Sequence, residues 1–140
     1  MAEDPQARWI VYGDYLIADL IKAAGAQVFN GTLFVPPLTE LQVLDPKLLG
    51  KQVYNRYAHV QLVPLEGSKI AFRLGRSADQ YAIGIDPKSG SWWRLGIRYV
   101  VLRYQPVDPG FQAAASLVAA LPENRIWIYK YKWKTASDRE

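Results

Sequence analysis

Residues 8 to 31 allow few folds. Arg8-Trp9-Ile10-Val11-Tyr12 is a continuous apolar run rich in β-branched and aromatic residues, the pattern of a strand buried on both faces. Gly13 ends it, and Asp14 stands where a helix N-cap is needed. Leu16, Ile17, Leu20, Ile21 and Ala24 then recur at the spacing of one apolar helical stripe, with Lys22 in the last turn and Gly25 as the stop. Gln27-Val28-Phe29 is a second short strand, closed by Asn30-Gly31. Strand, helix and strand in this order predict a βαβ unit with parallel strands and a right-handed crossover.

Ligands of open α/β sheets sit at the carboxyl ends of the parallel strands. Here those ends are Gly13-Asp14 and Asn30-Gly31. Asp14 and Asn30 therefore have two readings: ligand contacts, or simply a helix cap and a chain reversal, for which Asp and Asn are the favoured residues. A glycine-rich dinucleotide loop needs three glycines between strand and helix, and only Gly13 is present, so a nucleotide cofactor is disfavoured.

Beyond Thr32 the chain is punctuated by Pro36-Pro37 and Asp45-Pro46, with helix-compatible stretches at 39–44 and 47–49. This irregular connection leads to Asn55-Arg56-Tyr57-Ala58-His59, and His59 to Val63 alternates like a half-buried strand. Ile70 to Leu74 and Tyr81 to Ile85 alternate too, separated by turn residues, so the three strands are predicted to form an antiparallel meander. Trp92 to Leu95 reads as one helical turn, with one of the two adjacent tryptophans exposed. Arg98 to Tyr104 reads as an interior strand. Asp108-Pro109 opens a predicted helix over 111–121 that Pro122 stops. On the last strand, 126–133, Trp127, Tyr129, Tyr131 and Trp133 share one face.

No repeat or interdomain linker interrupts this order. The prediction is a single soluble α/β domain over 1–140, with a mixed sheet covered by helices on at least one face. Half of the chain is hydrophobic, which is enough to close one ordinary core. With 17 basic and 13 acidic residues the net charge is +4, which suits an anionic partner as well as plain solubility. The longest apolar run, 113–121, is about half of what a spanning helix needs, and no export signal is read at the N-terminus.

Cysteine is absent, which removes disulfides, thiolate metal sites and cysteine nucleophiles. One histidine without a nucleophile elbow disfavours a serine hydrolase. No carboxylate stands at ligand spacing from His59, so neither a metal nor a cofactor is predicted. The candidate ligand-binding residues are Asp14, Asn30, Asn55, Arg56, Tyr57 and His59. Arg56 suits a phosphate or carboxylate, Asn55 and His59 add hydrogen bonds, and Tyr57 can stack on a sugar. The same cluster equally suits satisfying backbone groups where an irregular segment enters a sheet. The aromatic face of the last strand either packs on a helix or, interleaved with Lys130 and Lys132, stacks single-stranded bases. The first is the expectation, so a nucleic-acid partner is disfavoured.

The Phe29-Asn30-Gly31 turn, the proline-bearing segment after it, Tyr54-Asn55-Arg56-Tyr57-Ala58-His59 and the strand from Leu95 to Leu102 carry a resemblance. Together they resemble the soluble C-terminal domains of large bacterial polytopic membrane proteins, many of which look like multi-spanning glycosyltransferases or related cell-envelope proteins. The resemblance implies a domain on the extracytoplasmic face of a bacterial membrane, partnered by the membrane-embedded portion of its own parent chain. It also implies a non-catalytic accessory role, binding carbohydrate or a lipid-linked glycan, since the catalytic carboxylates of such enzymes lie in loops of the membrane part. The competing expectations are a small enzyme pairing His59 with a carboxylate such as Asp14, and a single-stranded nucleic-acid binding module.

Overall fold

A computed structural model describes residues 6–13, 15–33, 37–54, 58–76 and 79–133. It is mixed α/β, with two mixed sheets in place of the one expected. In chain order the elements are β1 (Arg8–Val11), α1 (Tyr15–Ala23), β2 (Gln27–Val28), β3 (Gly31–Leu33), α2 (Leu38–Leu44), α3 (Lys51–Tyr54), β4 (Ala58–Val63), β5 (Ala71–Leu74) and β6 (Gln80–Gly84). They continue with α4 (Gly90–Arg94), β7 (Ile97–Leu102), α5 (Pro109–Ala114), β8 (Ala115–Leu121) and β9 (Ile126–Tyr131). One sheet runs β2-β1-β7-β9-β8 and the other β3-β4-β6-β5.

β1 is buried on both faces, as its composition predicts. Ile10 and Tyr12 point into the main core, whereas Trp9 and Val11 join Ala18 of α1 and Val101 in a second cluster. The parallel pairing of β1 with β2 is also as expected, and β7 lies parallel on its other side. The two sheets meet at the end of β1. The Tyr12 N–H donates to Val101 O of the first sheet (2.9 Å), and the Gly13 N–H donates to Leu62 O of the second (2.9 Å). Gly13 makes that switch at φ +99°, where a Cβ would lie 2.7 Å from Cγ of Arg103, so only glycine fits.

α1 is rotated from its expected setting. Ala18, Ile17 and Ile21 face the sheet, while Leu16 and Leu20 are 55% and 66% exposed. The rotation follows from Asp19, whose carboxylate takes two hydrogen bonds from Thr32 at the edge of the second sheet. Asn30-Gly31 does not end the unit; Gly31 begins β3, which pairs antiparallel with β4. The helical turn expected at 47–49 falls instead at Lys51–Tyr54.

The meander is corrected as well. β4, β5 and β6 share a sheet, but β6 lies between the other two, parallel to β4 and antiparallel to β5. The link from Pro64 to Ile70 is too long for a tight hairpin, whereas the β5–β6 turn is closed by the Gly75 N–H donating to Gln80 O (2.8 Å). Burial decides the order: Tyr81 and Ile83 of β6 are buried, and Arg73 and Leu74 of β5 are exposed, so β6 takes the interior place.

The second correction concerns 111–121. Asp108 caps the helix as expected, its Oδ1 accepting from the Gly110 N–H at 2.9 Å, but α5 stops at Ala114 and Ala115–Leu121 is a strand. A helix there would bury little, while β9 offers a ladder from Ala115↔Tyr131 to Leu121↔Ile126, shifted once between Leu117 and Ala119, and the ladder overrides alanine's helix propensity. β9 is therefore interior, between β7 and β8. Its aromatic face packs on α5 as expected: Phe111 meets Tyr129 edge-on at 5.0 Å and Tyr131 at 6.5 Å, and Trp127 and Trp133 close the same core. That face is accordingly not open for stacking bases.

A buried polar chain crosses the core. The Trp92 indole N–H donates to the Tyr12 hydroxyl (3.2 Å), which donates to Ile85 O (2.8 Å), and the Tyr131 hydroxyl donates to Pro87 O. Burial drives both phenols well above their ordinary value of 10.0; for Tyr12 the Trp92 hydrogen bond offsets part of the rise. Above that pH the unfolded chain releases phenolic protons that the folded chain retains, so stability must fall as pH rises past 10. Urea midpoints should hold between pH 8 and 9 and drop steadily through pH 11. Tyr12→Phe combined with Tyr131→Phe, although less stable at neutral pH, should flatten that drop.

Candidate functional site

Asn30, the first of the sequence-predicted ligands, is fully buried. Its Oδ1 accepts from the Val11 N–H (3.0 Å) and its Nδ2 donates to Val11 O (2.7 Å), so both ends of the amide are engaged by the end of β1. Asp14, Asn55, Arg56 and Tyr57 lie outside the described residues.

His59 sits on β4 opposite Thr32 of β3. Its Nδ1 is 2.8 Å from Thr32 Oγ1, which in turn is 2.6 Å from Asp19 Oδ2, and the Thr32 N–H donates to Asp19 Oδ1 at 2.8 Å. Burial pulls the Asp19 carboxyl upward, but the two Thr32 hydrogen bonds and then Lys22 outweigh it and hold it below its ordinary value. The carboxylate is thus ionised and takes the single hydroxyl proton of Thr32. The network thereby assigns a donating N–H to His59 Nδ1. Nε2 is directed toward Asp79, whose Oδ2 is 3.7 Å away, and Tyr15 stacks on the imidazole at 4.6 Å and 23°.

The close fit depends on Gly31. At φ +98°, a Cβ there would stand 2.7 Å from Asp19 Oδ1. Lys22 adds a fourth tie, donating from Nζ to Thr32 O at 3.2 Å. Side chains of α1, β3 and β4 are thereby clamped at one corner. Among the described residues, His59 meets Asp19 through the Thr32 hydroxyl and faces Asp79 across 3.7 Å.

A second arrangement opens beside the C-terminal end of α2. A cleft of about 770 Å³ is lined by the 43–47 segment, Leu49, Gly67, Ser68, Ile70 and residues 89–91, 93 and 94. Ser89 caps α4, its Oγ accepting from the Ser91 N–H at 3.2 Å, and the helical turn sets the two tryptophans on different faces. Trp92 is fully buried, and Trp93 is 43% exposed on the cleft wall. Arg94 stands beside it, one guanidinium nitrogen donating to Ser91 Oγ at 2.8 Å. Lys47 is exposed on the same lining. Asp45 is committed to the backbone, its two oxygens accepting from the Leu49 N–H (3.0 Å) and the Gly50 N–H (2.8 Å). The side chains that face the cleft are therefore an indole, two cations and hydroxyls over an apolar floor of Val43, Leu44 and Ile70.

A smaller cleft of about 350 Å³ is lined by Pro64, Tyr104, Pro106 and Phe111 with Glu66, Asp86 and Asp108. Two of its carboxylates are already engaged. Asp86 accepts from the Gly67 and Lys88 N–H groups, and Asp108 accepts from Lys88 Nζ at 2.7 Å. Among the described residues no group of three His, Asp or Glu side chains is placed to hold a metal, and no helix is long and apolar enough to cross a membrane.

A family model described as domain of unknown function (DUF7654) matches residues 1–134. The chain belongs to this family. No curated protein matches it significantly. No solved structure does either.

For this member of the DUF7654 family, the sequence picked out His59 but not the residues that hold it. Asp19 is hidden inside an ordinary helical pattern, and Thr32 falls at the start of a proline-punctuated stretch that reads as an irregular connection. The cleft left one legible sign, a Trp-Trp pair directly after a polar loop, which pointed to one exposed ring. Which neighbours would surround that ring depended on α2 and α4 packing together, and local pattern does not encode that.

Proposed function

We propose that this is a non-catalytic ligand-binding domain and that its 770 Å³ cleft takes a sugar bearing negative charge, either a uronate or a sugar phosphate. The observation that carries the reading is Trp93: a large ring 43% exposed on a cleft wall, beside Arg94 and facing a lining that includes Lys47. An indole offers a flat apolar face to the C–H face of a pyranose, the two cations suit a carboxylate or phosphate, and serine hydroxyls suit the ring substituents. The broader reading is an accessory domain that handles glycan or lipid-linked sugar for a membrane-embedded cell-envelope protein, on the extracytoplasmic side. Its support is the resemblance carried by Phe29–Gly31 and Tyr54–His59, with which a cleft for anionic sugar is consistent.

The enzyme reading has less behind it. The Asp79 carboxylate is 3.7 Å from His59 Nε2 rather than about 3 Å, and neither cleft described above includes His59 in its lining. The Asp19–Thr32–His59 chain reads as a clamp.

Titration calorimetry with an oligogalacturonate and a hexose phosphate, against neutral maltotetraose, tests the proposal. The charged ligands should bind, Trp93→Ala should weaken them at least tenfold, and Lys47→Ala with Arg94→Ala should erase their advantage over the neutral sugar. Equal binding to the Trp93→Ala variant, or no binding of any of these sugars, contradicts the proposal.

A further inference from the structure

Four strands form the edges of the two sheets: β2, β3, β5 and β8. β2 has 2 residues, β3 has 3, and β5 has 4 including the charged Arg73, all ordinary ways of blunting an edge. β8 is different. It has 7 residues, Ala-Ser-Leu-Val-Ala-Ala-Leu, with neither charge nor proline. Only Ala115 is buried, and Leu117, Val118 and Leu121 are 52%, 55% and 53% exposed. One side of β8 pairs with β9, and no strand of the described residues pairs with the other.

A register shift between Leu117 and Ala119 distributes the apolar side chains. Ala115 and Leu117 lie opposite Tyr131 and Tyr129, on the main-core face, whereas Ala119 and Leu121 lie opposite Ile128 and Ile126, on the other face. Exposed leucines therefore project on both sides of one open backbone edge. A helix or a flat surface would cover one side and leave the peptide groups unpaired. An added strand satisfies the edge and brings side chains to both faces.

We infer that β8 pairs antiparallel with β8 of a second copy of this chain, joining the two five-stranded sheets across a two-fold axis. Each copy carries +4, so the net charges repel; the uncharged strand adds nothing to that repulsion, and local charge complementarity favours this occupant. Exposed Glu123 lies just past the C-terminal end of β8, while exposed Lys130 of β9 and Lys132 just after it flank its N-terminal end. Antiparallel pairing brings Glu123 of each copy toward the lysine-bearing end of the other, twice by symmetry. A seven-residue edge is about 24 Å long and buries less than a standard interface, so dissociation constants on the order of 10 μM are expected.

Sedimentation equilibrium from about 1 to 300 μM should show a monomer–dimer equilibrium. Val118→Lys should abolish it, and Leu20→Lys on the exposed face of α1 should leave it unchanged. Hydrogen exchange of the unsubstituted protein gives a second readout that needs no variant: β8 amides should slow as concentration rises, while those of β5 should not. A monomer at every concentration, a dimer that survives Val118→Lys, open-ended oligomers, or β8 exchange independent of concentration would each overturn the inference.

Discussion

Trp92→Ala is expected to cost about 3–5 kcal/mol, the range for removing a large buried aromatic side chain. The indole is fully buried, meets Phe29 edge-on at 6.0 Å, and donates to the Tyr12 hydroxyl. Its loss opens a cavity between the sheets and strips the Tyr12–Ile85 link of its outer donor. For a chain of this length the melting temperature should fall by roughly 10–20 °C. Trp92→Phe should cost less, because most of the volume stays and chiefly the N–H donor is lost. Trp93→Ala, one residue away, should shift stability by only about 0.5 kcal/mol, as for an exposed position. Thermal and urea unfolding of the three variants side by side checks this, and equal losses at 92 and 93 would contradict the assignment of one ring to the core and the other to the cleft.

Asn30→Leu should be nearly as damaging, about 2–4 kcal/mol. Leucine keeps the bulk but leaves both the Val11 N–H and the Val11 carbonyl without the partners they have at 3.0 and 2.7 Å. Those groups lie where β1 leaves one sheet for the other, so solvent cannot replace the amide. Asn30→Asp tests the same point differently: the Val11 N–H keeps an acceptor, but Val11 O then faces a carboxylate. It should also be destabilising, and increasingly so as pH rises through the carboxylate range. A urea midpoint for Asn30→Leu close to that of the unsubstituted protein would show that the Asn30 amide does not hold this junction.

Both residues illustrate what local pattern reveals. The strand at Trp9–Val11, the helix after it and the Asp108-Pro109 cap were legible because periodicity and capping chemistry act over a few residues. The order β3-β4-β6-β5 was not, because nothing within β4 or β5 says that a later strand will come between them. The 115–121 segment misled for a related reason. Its alanines and leucines suit a helix when read alone, and only the ladder with β9 makes it a strand. At the candidate sites, the polar character of Asn30 and His59 was visible, but their partners were not: Val11 is 19 residues from Asn30, and Thr32 is 27 from His59. The Trp92-Trp93 pair was the one local signal that led to the cleft.

The central claim is that the exposed indole of Trp93 receives a charged sugar. It is tested most directly by proton–nitrogen NMR of the tryptophan side chains during titration with an oligogalacturonate. The chain has 5 tryptophans, so 5 indole N–H signals can be followed at once. The proposal predicts a saturable shift of the Trp93 signal, with Trp9 and Trp92 unmoved because both are buried. A titration that leaves the Trp93 signal in place, or that moves the signals of the buried rings and not that of Trp93, would contradict it.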